Sequence, residues 1–197
     1  MSRLHLTEPR HNPVMNRTET ARALGMSPYL AHRLIRSGWL RPALSDVAAL
    51  AERQIITSDG PVALLRMGIP ETITETETDG NTTSRKIGIG PDYDDEQILE
   101  AARRWWRCSA EEVLTSGVVL LSVSGFVVAV AEFTALEDSI TQGRIVRHSF
   151  QARLLGRVID LASGLSRHPV EHPANDVLGH RLPHNRQGSP MVVETLG

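Results

Sequence analysis

Apolar positions change their spacing along the chain, and the changes mark out the elements. From Asn16 onward Ala21 and Leu24 lie three apart, which predicts a short helix capped by Thr18 and stopped by Gly25. Ser27-Pro28 then starts a second helix: serine satisfies free backbone amides, and proline at the first helical position gives up no hydrogen bond. Leu30, Ala31, Leu34 and Ile35 make one stripe of that helix, Tyr29, His32, Arg33 and Arg36 occupy the other face, and Gly38 ends it. After Trp39-Leu40-Arg41-Pro42, Ser45 is the expected cap of a third helix whose apolar face is Val47, Ala48, Leu50 and Ala51.

Past Gly60-Pro61 the helical spacing gives way. Val62 to Leu65 is a continuous apolar run of strand length, so a buried strand is predicted. Threonine and glutamate alternate within 71–86 around Asp79-Gly80-Asn81, which reads as a polar loop or hairpin tip with no core of its own. Asp94 and Asp95 open an amphipathic helix through Ile98, Leu99, Ala102, Trp105 and Trp106, with Arg103, Arg104 and Arg107 near its negative end. Glu111 and Glu112 are helix-start acids of the same kind. Val118 to Val130 is valine-rich and broken at Ser124-Gly125, predicting two antiparallel strands meeting at a tight turn or one long bulged strand. Residues 144–159 alternate well enough for one or two more strands, 166–190 is rich in proline and histidine, and Met191-Val192-Val193 is placed to close a sheet. The expected fold is α+β: a flexible arm (1–14), a small helical domain (15–56), and a β-rich, barrel-like domain (57–197) with one long helix.

Composition narrows the class. With 197 residues, 41% apolar and 22% charged, the chain is ordinary for a globular protein and far from disorder. The apolar stretch 117–131 contains Ser122, Ser124 and Gly125 and falls short of the ~20 residues of a membrane-spanning helix. No apolar segment of signal-peptide type follows Met1, and one cysteine, Cys108, cannot form a disulfide within the chain; both point to the cytoplasm. The net charge of −2 conceals a segregation: residues 1–56 sum to +4, residues 57–100 to −7 and residues 101–197 to +1. A basic head on an acidic midsection suits a nucleic-acid-binding module joined to something else.

The most specific constellation runs from Thr18-Glu19-Thr20-Ala21 through Leu24-Gly25-Met26-Ser27-Pro28 to Arg33-Leu34-Ile35-Arg36-Ser37-Gly38. Two short helices across a glycine turn, the second one basic, make a helix-turn-helix pattern. The stretch resembles the excisionase and MerR-like winged-helix family, although the wing after Gly38 is cut to four residues without a basic hairpin. The resemblance implies sequence-specific binding of double-stranded DNA, in a bacterial or phage regulator of transcription or recombination. On this reading Ser27, Tyr29, His32, Arg33, Arg36 and Arg41 contact DNA, since arginine binds guanine bidentately and phosphate electrostatically.

A looser resemblance covers Ala101 to Trp106, the valine-rich run and Gly143-Arg144 to Phe150, a layout similar to PUA-like domains of the EVE and ASCH kind. It implies a compact β-barrel that binds RNA or reads modified bases. Arg103, Arg104, Arg107, Arg144 and Arg147 are the expected further DNA contacts; Trp106 is the base-stacking candidate, and Trp105 the more core-like of the pair. An alternative function is therefore a defence-related reader of modified or flipped bases. A second alternative is a histidine-metal nuclease built on His168, His172, His180 and His184. Pro169, Pro173 and Pro183 break the helix that such i, i+4 spacing needs, so no metal is expected. Neither a phosphate-binding glycine loop nor a serine nucleophile elbow is present in the sequence, so no cofactor and no catalysis are expected.

Overall fold

The computed structural model describes residues 12–76, 82–183 and 189–197. The expected turn at Asp79-Gly80-Asn81, most of the arm (1–11) and His184 lie outside them. Three short helices come first: α1 (Arg17–Ala23), α2 (Pro28–Arg36) and α3 (Leu44–Ala51). Asn16, not Thr18, caps α1, accepting from the amides of Thr18 and Glu19 while Glu19 reaches back to the Asn16 amide. Ser27 and Pro28 start α2 as the sequence predicts. Ala43, not Ser45, stands at the N-cap of α3 and its methyl side chain makes no capping bond; the Ser45 hydroxyl, inside the first turn, accepts from Asn12 and donates to Asp46. Pro13 and Val14, at the end of the expected arm, pair with Ala43 and Leu44.

The body is an open six-stranded sheet. Its strands are β1 (Pro61–Arg66), β4 (Val118–Val123), β5 (Phe126–Gln142), β6 (Ile145–Asp160), β7 (Leu165–Arg167) and β8 (Met191–Thr195), in the order β7-β6-β5-β4-β1-β8. Neighbours are antiparallel except β1 and β4, which run parallel with Ala63 opposite Val119. Between these two the chain makes a separate ribbon, β2 (Glu71–Thr76) with β3 (Thr82–Ile87), and the helices α4 (Asp95–Arg103) and α5 (Ala110–Ser116).

Several expectations need correction. The sheet does not close into a barrel, because β8 pairs with β1 and leaves β7 at the opposite edge. Within 71–86 the described residues 71–76 and 82–86 pair as a ribbon, the hairpin alternative and not the loop, with Glu71 opposite Ile87 and Ile73 opposite Arg85. Trp105 and Trp106 lie past the end of α4, so helical geometry does not orient them. Two expectations hold as stated: β6 is a single strand, Ile145–Asp160, and Ser124-Gly125, both at positive φ, make the tight turn between β4 and β5.

Leu24, Leu34, Trp39, Val47 and Leu50 from the N-terminal helices belong to the same continuous hydrophobic cluster as Leu64, Leu121, Val128 and Phe150 of the sheet. Polar ties reinforce the junction: Ser124 Oγ donates to Leu30 O (2.9 Å), Arg181 to Leu24 O (2.8 Å) and Trp39 Nε1 to Ile89 O (3.0 Å). These bonds fix the orientation of α2 against the ends of β1 and β4.

Candidate nucleic-acid interface

Where α2 meets the sheet, a cleft of about 1110 Å³ opens. The carboxyl ends of the parallel strands β1 and β4 lead into it, through Arg66, Met67 and Gly68 on one side and Ser122 and Ser124 on the other. The N-cap Ser27 and one side of α2, Tyr29, Leu30 and Arg33, line it as well. One face of the ribbon supplies Glu71, Ile73, Arg85 and Ile87, the set that a two-residue period and the observed register bring together. The segment after α4 contributes Arg104, Trp105 and Trp106, and the start of β6 contributes Arg147.

Five arginines thus face one carboxylate, Glu71. Arg66 is engaged, pairing with Glu194 at 3.2 Å and donating to Ser189 O at 3.0 Å. Arg33 donates to Met67 O (2.6 Å) and lies over the Tyr29 ring, 5.8 Å from its centre. Arg147 donates to Gln142 Oε1 (3.1 Å) and weakly to Trp105 O (3.5 Å). Arg104 makes no hydrogen bond or ion pair among the described residues, and its Nε is shielded from solvent. Arg33, Arg104 and Arg147 therefore leave three positive charges without a carboxylate partner among the described residues.

Trp106 is anchored. Its backbone exchanges hydrogen bonds with His148 of β6 (2.9 Å each), its indole N–H donates to Ala102 O (2.5 Å), and its ring packs on the core. Trp105 is half-buried and lines the cleft without joining the hydrophobic cluster, so of the two tryptophans it is Trp106 that packs on the core.

The chain matches no protein-family model, no curated protein and no solved structure.

Of the residues singled out in the sequence, Ser27, Tyr29, Arg33, Arg104, Trp106 and Arg147 converge on the cleft. His32 and Arg36 are exposed on α2 outside it. Arg41 is exposed and pairs with Asp46 (3.0 Å) and, at 3.9 Å, with Asp160. Arg103 ends α4, Arg107 is exposed beyond it, and Arg144 is exposed at the β5–β6 turn. Arg66 and Arg85 were missed. The signal for Arg85 was available, since a threonine-rich alternation about Asp-Gly-Asn is itself a hairpin pattern; Arg66 ends a strand whose neighbours the sequence does not specify.

The remaining chemical groups lie elsewhere. His168 is exposed beside Ser166, and His172 accepts from the Ala174 amide at the start of a single 3-10 turn, Pro173–Val177. Among the described residues no three His, Cys, Asp or Glu side chains gather into a metal-sized cluster. Burial, with Glu112 adding to it, pushes the Cys108 thiol up to about 11. No helix among the described residues is long and apolar enough to cross a membrane.

Proposed function

We propose that this chain is a sequence-specific DNA-binding protein in which α2 reads the duplex and the arginine-lined cleft beside it adds backbone contacts. The observation that carries the reading is convergence: one side of α2 and three residues far along the chain, Arg104, Trp106 and Arg147, line one cleft with a surplus of positive charge. Exposed Tyr29, His32 and Arg36 form the outward edge of a helix-turn-helix, suited to base edges in a major groove. Arg33, Arg104 and Arg147 are suited to phosphates, which attract arginine regardless of sequence. The ion pairs elsewhere support this division. Arg153 pairs with Glu132, and Arg157 and Arg167 share Asp95, so each of these cations has a carboxylate partner within the fold.

The test is selection of bound fragments from a random duplex pool with the full chain at two salt concentrations. A defined site should emerge, and Arg36→Ala should relax preference at one base position, costing ~1–3 kcal/mol there. Recovery of a random pool at both salt concentrations would reject sequence-specific binding.

A further inference from the structure

We infer that the cleft is a binding site for one unpaired nucleoside phosphate unit, its base against Trp105 and its phosphate on Arg104. The inference deepens the DNA-binding reading and rests on it for the source of the nucleotide, either an end or extruded position of a strand or, chemically equivalent, a free nucleotide.

Size sets the first limit. A volume of about 1110 Å³ corresponds to a cube roughly 10 Å on a side. A base can lie against the Trp105 ring that lines the cleft only when that base is out of the duplex stack. The volume is slightly above the ~300–1,000 Å³ typical of pockets for single small ligands.

The lining sets the second. Leu30, Met67, Ile69, Ile73 and Ile87 give the cleft apolar walls, while the arginines give it charge. A ligand complementary to both is part planar and apolar, part anionic. A sugar or inorganic phosphate would leave the apolar walls unused, and a neutral aromatic would leave the charge unused. Trp105 is the indole free to stack, because Trp106 is held by its bridge to His148 and by its bond to Ala102. Arg104 is the guanidinium free to bind: its shielded Nε has no partner, whereas buried polar groups are ordinarily satisfied. A planar fork with unused donors fits phosphate bidentately.

The experiment reads tryptophan fluorescence of the full chain. The third tryptophan, Trp39, is buried and bonded to Ile89 O, so changes report the cleft pair. The chain is titrated separately with a nucleoside monophosphate, the unphosphorylated nucleoside, inorganic phosphate, a short single strand and a fully paired duplex. Saturable quenching by the monophosphate is expected, at least tenfold tighter than by nucleoside or inorganic phosphate. Arg104→Gln should weaken it roughly tenfold or more, as loss of a charge-assisted bond, with unchanged circular dichroism. Trp105→Phe should abolish most of the quenching, and calorimetry should still detect binding. No quenching by monophosphate or single strand from a folded chain would overturn the inference, as would equal affinity for inorganic phosphate. If duplex binding sensitive to Arg36→Ala persists in that case, the DNA-binding reading survives alone. Conversely, monophosphate binding with no binding of single strand or duplex supports the nucleotide site and rejects DNA as its source.

Discussion

Replacing Gly88 by alanine should destabilise the fold and deform the cleft wall together. Gly88 follows β3 at φ +67°, and a Cβ there would lie 2.0 Å from the Ile69 carbonyl oxygen and 2.5 Å from its carbon. Backbone cannot swing aside as a side-chain tip can, so the ribbon carrying Glu71 and Arg85 must shift against residues 68–70. The left-handed conformation costs an L-residue ~1–2 kcal/mol, and an extra methyl in a filled site costs ~1–3 kcal/mol. Reduced freedom of the unfolded chain returns ~0.4–1 kcal/mol, leaving a loss of ~2–4 kcal/mol. Gly25→Ala is the matched control: φ is +60° but nothing lies within 4 Å of the new Cβ, so only the conformational cost remains, ~1 kcal/mol or less after the same offset. In urea, at ~2–3 kcal/mol per molar, the Gly88 variant should lose about 1 M of its unfolding midpoint and the Gly25 variant less than about 0.5 M. Equal midpoints for the two variants would refute the claim that the ribbon is pinned at its base.

Further expectations concern charge and burial. Arg157 is buried, donates to Tyr93 O and to Pro91 O (2.8 Å), and meets Asp95 at 3.6 Å. Arg157→Ala should cost ~3 kcal/mol in thermal or urea unfolding, because carbonyls and a carboxylate lose a buried partner; Arg153→Ala, which removes an exposed pair with Glu132, should cost less than ~1 kcal/mol. Because the Cys108 thiol ionises only at about 11 when folded, its alkylation at pH 8 should be roughly 100-fold slower than that of a free cysteine, which ionises near 8.5. The sign for stability follows from the same shift: the unfolded chain releases this proton first, so the Cys108 contribution is intact below about 9 and is lost as pH rises through about 11. Cys108→Ser should remove that part of the pH dependence.

Local signals in the sequence were read most directly where the chemistry of an element is contained in the element. Ser27-Pro28 and Gly38 bound α2, and Ser124-Gly125 turns β4 into β5, because caps and positive-φ turns depend on adjacent residues. Cap choice was legible only in type: Asn16 prevails over Thr18 because Glu19, three residues on, completes the reciprocal pair. Topology was less accessible. Nothing in Met191-Val192-Val193 says that the strand joins the outer edge of β1, and that pairing decides between an open sheet and a barrel. The roles of Trp105 and Trp106 likewise followed an extrapolated helix that ends two residues too early for them. The cleft itself was invisible as a unit, since its lining comes from the end of β1, the ribbon, α2, the end of α4 and the start of β6, which only tertiary pairing brings together.

The central claim is that α2 and the cleft wall act as one DNA interface. Its most direct test is the salt dependence of full-chain affinity for a selected duplex, measured for the native chain and for Arg36→Ala, Arg104→Ala and Arg167→Ala. Arg167 lies on the edge strand β7, paired with Asp95 at 3.2 Å and away from the cleft. Each phosphate contact contributes ~0.9 to the slope of log affinity against log salt. The account predicts that Arg104→Ala lowers the slope by about 1, that Arg36→Ala weakens binding most at the selected sequence, and that Arg167→Ala changes neither. An unchanged slope for Arg104→Ala, or an equal loss from Arg167→Ala, would contradict it.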